Sequence, residues 1–119
     1  MIILVGIGGA VGAASRYLAG IWIGKKTGNA FPYPTLFINI MGSFLLGILT
    51  GMNQIQILPQ WCWLLLGVGF CGAFTTFSTF GYEAIQLFLN KQLKKAYLYI
   101  AASTIICTIS AFIGILLTT

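Results

Sequence analysis

Gly69-Phe-Cys-Gly-Ala-Phe-Thr-Thr-Phe-Ser-Thr-Phe-Gly-Tyr-Glu83 lies inside a long apolar run that begins near Trp61. An uninterrupted membrane helix has no use for such a sequence. Thr75, Thr76, Ser78 and Thr79 are poor helix formers whose hydroxyls compete for backbone carbonyls. Gly72, just before them, supplies conformational freedom for a non-helical turn. The stretch therefore reads as a break in a transmembrane helix, near residues 72–79. A bilayer tolerates a break only where protein or a polar cavity satisfies the freed backbone groups. The functional site is expected here.

Composition points the same way. The chain has 119 residues, of which 59% are hydrophobic and 6% charged, far from the values of soluble domains. The single acid, Glu83, faces six bases, Arg16, Lys25, Lys26, Lys91, Lys94 and Lys95. A net charge of +5 in a soluble protein suggests nucleic acid, but here the lysines flank apolar runs and report membrane topology. Cys62, Cys71 and Cys107 stand alone in apolar segments without CxxC spacing, which reads as small apolar filling. With no histidine, no carboxylate cluster and no nucleophile–base set, an enzyme is the weakest function class. The N-terminus lacks a basic leader and reads as a first membrane helix.

Four spans account for the rest, in one transmembrane domain over residues 1–119. The first covers residues 2–23 and carries Gly8-xxx-Gly12 and Gly20-xxx-Gly24, spacings that let another helix approach closely. Tyr17, Trp22, Trp61 and Trp63 read as interfacial belts. Pro32 and Pro34 mark entry into the second span, residues 35–52, which holds Asn39 near its start. The third covers residues 61–89, too long for one straight crossing. The fourth covers residues 96–117, with Tyr99 and Ser103 four apart on one face. All five lysines fall in the first and third loops, so the positive-inside rule places those loops in the cytoplasm and both termini outside.

Depth is informative. Arg16 lies roughly 12 Å below the first loop at the helical rise of about 1.5 Å per residue. Glu83 lies at a similar depth below the third loop, and Asn39, Tyr99 and Ser103 fall in early turns of helices starting from that side. Phe77 and Phe80, three apart, share a face in the same half of the membrane. One subunit thus reads as half of a polar pathway. A second subunit inserted upside down would extend it across the bilayer, as inverted repeats do in transporters.

Three motifs in order resemble the Fluc (CrcB) fluoride channels: Gly8-Gly-Ala-Val-Gly-Ala-Ala-Ser-Arg-Tyr17, Thr35-Leu-Phe-Ile-Asn-Ile-Met-Gly-Ser-Phe44 and Gly69-Phe-Cys-Gly-Ala-Phe-Thr-Thr-Phe-Ser-Thr-Phe80. The resemblance implies an all-α protein of the cell membrane, with four transmembrane helices per subunit and the third broken, forming an antiparallel dual-topology dimer. It implies passive export of fluoride through two pores around a central sodium ion. Phe77 and Phe80 then correspond to the pore phenylalanines, Asn39 to the pore asparagine, and Tyr99 and Ser103 to pore residues of the fourth helix. Gly72 and Thr75 correspond to the break whose carbonyls hold Na+, and Arg16 to the arginine near the aqueous vestibule. The partner is a second copy or a paralogous subunit in the opposite orientation, since a lysine bias also suits one member of a fixed-orientation pair.

The chemistry agrees with that assignment. An anion must replace its water shell, and the amide N–H of Asn39 and the hydroxyls of Ser78, Thr79, Tyr99 and Ser103 are donors without full charge. The electropositive ring edges of Phe77 and Phe80 add weak contacts that let an ion leave. Arg16 and Glu83 at similar depth also suit a structural ion pair, because an intramembrane base needs water or a partner. Two other functions compete. A proton-coupled small multidrug exporter needs an acid deep in the first helix, where this chain has only Arg16. A non-transporting assembly protein would leave the Thr–Phe break unexplained.

Overall fold

The computed structural model describes residues 1–28 and 31–118 of the chain. Asn29 and Ala30, inside the expected first loop, and Thr119 lie outside the described residues. Four helical spans are long and apolar enough to cross a membrane: Ile2–Thr27, Tyr33–Gln54, Gln60–Leu89 and Leu93–Thr118. The described residues contain no strand. We call Ile2–Thr27 α1, Tyr33–Gln54 α2, residues 60–74 α3, Ser78–Leu89 α4 and Leu93–Thr118 α5. The third span is thus two helices, α3 and α4, separated by Thr75, Thr76 and Phe77.

Local chemistry sets the ends. Pro59 and Pro32 precede the first residues of α3 and α2, where a missing N–H costs nothing. α1 stops at Gly28, whose φ of 75° only glycine adopts freely and whose N–H donates to the Gly24 carbonyl at 3.0 Å. Lys25 and Lys26 lie in the last helical turn rather than in a loop, where cations meet the negative end of the helix dipole. The Lys26 ammonium sits 4.4 Å from the Trp22 ring centre, an arrangement suited to a membrane–water boundary.

Two pairs of parallel helices make the body. α1 packs chiefly on α3, and α2 on α5. Each seam closes on glycine. A Cβ on Gly8 would fall on the Leu65 carbonyl oxygen and one on Gly12 on the Phe70 carbonyl oxygen. In the second seam, Gly47 faces the Ala111 carbonyl and Gly114 the Phe44 carbonyl. The expected Gly8-xxx-Gly12 face is therefore an internal seam. Gly20 and Gly24 are different: the nearest atoms to their Cβ positions are side-chain carbons of Ile38 and Pro34, at 3.9 and 3.8 Å, in ordinary contact. Between Trp63 and Cys71, α3 winds as a π-helix, a wide turn common beside functional sites.

The short helix α4 lies against α5 and α2. There Leu36, Ala84, Leu87, Ala96 and Tyr99 form the main buried cluster, edged by Phe31, Ile40, Phe80 and Phe88. A cleft of about 410 Å³ lined by Gly28, Phe31, Pro32 and Pro34 from one side and Gln86, Asn90 and Gln92 from the other brings the first and third loops to one end.

Candidate functional site

The break is built by a residue far from it in sequence. Asn39 on α2 donates from Nδ2 to the Thr76 carbonyl at 3.0 Å and accepts at Oδ1 from the Thr76 N–H at 2.9 Å. This two-point clamp replaces the helical bonds that Thr76 would otherwise make. Thr75 supplies the bend itself: it is extended, with φ −79° and ψ 154°, while its hydroxyl donates to the Cys71 carbonyl at 2.8 Å. Thr76 then restarts the chain, its hydroxyl accepting from the Thr79 N–H at 3.2 Å as a helix-capping group does.

Gly72 does not play the part expected of it. It is helical, with φ −61° and ψ −35°, a conformation open to any residue. The bend falls three residues later, where β-branched threonines trade helical bonds for side-chain ones. The consequence for the carbonyls is nevertheless real. In an unbroken helix the Gly72 carbonyl would accept from Thr76 and the Thr75 carbonyl from Thr79. Both donors are engaged elsewhere, by Asn39 and by the Thr76 hydroxyl.

Beside the break opens a cavity of about 300 Å³ lined by Asn39, Ser43, Thr75, Thr76, Phe77, Phe80, Ser103 and Cys107, among others. Five of the expected site residues, Asn39, Thr75, Phe77, Phe80 and Ser103, meet there. Phe77 is 83% exposed on the protomer, its ring centre 5.9 Å from that of Phe80. Ser103 is buried and its hydroxyl has no protein partner.

The other expected residues stand around this cavity without lining it. Tyr99 is fully buried behind Phe80, ring centres 5.1 Å apart, and its hydroxyl donates to Glu83 Oε1 at 3.1 Å. Ser78 is exposed, 3.4 Å from the Thr76 hydroxyl. Thr79 faces a second cavity, of about 340 Å³, with Arg16, Tyr17, Thr35 and Thr76. Arg16 and Glu83 form no ion pair with each other among the described residues; Glu83 is turned to Tyr99, and the Arg16 Nε is buried without a partner. Thr76 lines both cavities and so stands between them.

Two residues of the cavity wall escaped the sequence reading. Ser43 has no assigned role in the sequence motifs and Cys107 reads as apolar filling, yet the two side chains face each other across α2 and α5. The signal was present in the spacing: Asn39 and Ser43 on α2, and Tyr99, Ser103 and Cys107 on α5, recur every four residues.

Comparison with known proteins gives this arrangement a family. The family described as "CrcB-like protein, Camphor Resistance (CrcB)" matches residues 3–115. The chain is 47% identical over 112 residues to the Bacillus cereus protein named fluoride-specific ion channel FluC 2, covering 94% of this chain and 92% of that one. It is 46% identical over 111 residues to FluC 2 of Clostridium acetobutylicum, covering 93% and 92%. It is 40% identical over 113 residues to the Shewanella woodyi protein named fluoride-specific ion channel FluC, covering 95% and 91%. With the match running almost end to end and through the broken third span, this chain belongs to the CrcB family.

Proposed function

We propose that this chain is a subunit of a fluoride-selective channel in the cell membrane, releasing cytoplasmic fluoride passively down its gradient. The observation that carries the reading is the cavity at the helix break, where Asn39, Phe77, Phe80 and Ser103 converge in a chain whose relatives bear fluoride-channel names. Its wall suits a small anion. The unpartnered Ser103 hydroxyl is a free donor, and Asn39 keeps one of its two amide protons after bonding Thr76. The ring edges of Phe77 and Phe80 present weak positive potential. None of these groups carries a full positive charge, so an ion is solvated without being trapped.

Glu83 and Tyr99 act together in this scheme. The carboxylate holds the phenolic proton and presses the ring against Phe80, fixing the pore face of α4. Arg16, lining its own cavity on the other side of Thr76, is the vestibule group that raises local anion concentration.

The pathway is completed by a partner in the opposite orientation, a second copy or a paralogous chain. The heavily exposed Phe77 and the gathering of Asn39, Thr76 and Ser103 around a single break support this. A central Na+ also fits the residues present. The carbonyls of Gly72 and Thr75 have lost their helical donors, and unwound carbonyls are the ligands membrane proteins offer this hard cation. Nothing lies within 4 Å of a Cβ built on Gly72, so that side of the break is open to a partner subunit. Bound there, the ion would offset anion charge in a low-dielectric interior.

Fluoride efflux from liposomes holding only the purified chain, with chloride as control, tests the proposal. Fast, fluoride-selective efflux is expected. If the chain is silent alone, efflux should appear on co-expression with an oppositely oriented paralogue. Folded protein silent in both settings overturns the channel reading.

A further inference from the structure

The cavity at the break holds a thiol that the fluoride reading does not use. Cys107 lines it one helical turn beyond Ser103, and the Ser43 hydroxyl on α2 lies against its sulfur. Ser103, only 6% exposed, has a hydroxyl with no protein partner and lines the same cavity. An unpartnered buried donor beside a thiol marks a place where a small polar species is accommodated. The other cysteines differ. Cys71, in the second half of α3, is 1% exposed and Cys62 lies at the start of α3; neither lines this cavity.

We propose that Cys107 is a modification site within the anion path, at which a thiophilic monovalent cation such as Ag+ binds and closes the channel. In this step an S–Ag bond forms, the S–H bond breaks and the proton passes to water, with no change of oxidation state. Sulfur supplies the soft ligand, and the Ser43 and Ser103 hydroxyls are weak oxygen donors at its sides. A silver ion held on the sulfur between α2 and α5 leaves the side chain neutral but fills space in the cavity, so the anion is obstructed. The proposal rests on the reading of this cavity as the fluoride path.

The test compares fluoride efflux before and after Ag+ in chloride-free liposomes, for the native chain, Cys62→Ser/Cys71→Ser and Cys107→Ser. Each variant is normalised to its own untreated rate, and the silver adduct is counted by native mass spectrometry. The native chain and Cys62→Ser/Cys71→Ser should lose efflux by about tenfold or more, as an occluded single-file pore does. Excess dithiothreitol should restore it, and Cys107→Ser should keep its rate. Block that persists in Cys107→Ser, or the absence of a silver adduct on Cys62→Ser/Cys71→Ser, overturns the proposal while leaving untreated fluoride flux as support for the channel. An adduct at Cys107 without loss of efflux overturns both the block and the assignment of this cavity to the path. Absence of untreated efflux is the failure of the channel reading itself, and the block falls with it.

Discussion

Asn39 serves the break much as a capping residue serves a helix end, but from another helix. Its two bonds to Thr76 satisfy a donor and an acceptor that hydrocarbon would otherwise leave exposed. Asn39→Asp removes the Nδ2 donor and sets a carboxylate oxygen against the Thr76 carbonyl. Loss of one satisfied buried bond costs about 1–3 kcal/mol. The added charge raises the energy of an anion about 4 Å away by about 1–4 kcal/mol, a rate loss of at least about fivefold. Both lower thermal stability in detergent and slower efflux are expected; full activity removes Asn39 from the path. Phe80→Ile separates packing from pore function, since isoleucine fills space but has no ring edge. Efflux should fall while assembly stays intact, and unchanged efflux makes Phe80 a packing contact for Tyr99. The sequence showed that Thr75–Thr79 do not want to be helical. It could not show that Thr75 rather than Gly72 takes the bend, because the deciding partner is 37 residues away from Thr76.

Among the elements, the seam between α1 and α3 depends on bare backbone. Gly8 and Gly12 bring α1 onto the Leu65 and Phe70 carbonyls, within a stretch already widened into π turns. Close approach of Cα hydrogens to those carbonyls adds weak polar contacts where no water is available. A side chain at Gly12 has no place to go, because its neighbour is backbone. Gly12→Val should displace α1 and cost about 2 kcal/mol or more, seen as loss of the monodisperse species on size-exclusion chromatography. Gly6→Ala is the matched control, with nothing within 4 Å of the new carbon, and should leave the protomer folded. A Gly12→Val protein as stable as the native chain would mean that the seam is far looser than drawn. The glycine spacing was legible, though Gly8-xxx-Gly12 and Gly20-xxx-Gly24 look alike on paper and only the first is pressed against backbone. The π stretch was not legible. Trp63 to Cys71 is uniformly apolar, and its winding follows from packing that the local sequence does not encode.

At the scale of the whole molecule, charge and shape make one argument. Helices of 26 residues, as in α1 and α5, extend about 39 Å at the helical rise, enough to pass a hydrocarbon core of about 30 Å. The first and third loops share an end, so all five lysines, which lie in the third loop and in the helical turns beside both loops, gather at one end of the bundle. Two cavities with polar walls adjoin the break, and the strongly exposed Phe77 sits there on the protomer surface. A protomer of this kind carries one charged end, and the proposed path needs a partner to cross the membrane. The lysine bias predicts that most copies insert with the C-terminus outside the cytoplasm. C-terminal fusions read this directly: alkaline phosphatase, active only outside, should be active, and a fluorescent protein that folds only in the cytoplasm should be dark. Replacing Lys25, Lys26, Lys91, Lys94 and Lys95 with glutamine should then light both reporters, because the signal that orients the chain has been removed. If the native chain already lights both, its lysines do not set its direction. The upside-down partner is then a second copy of the same chain rather than a paralogue, and efflux from the purified chain alone should be at full strength.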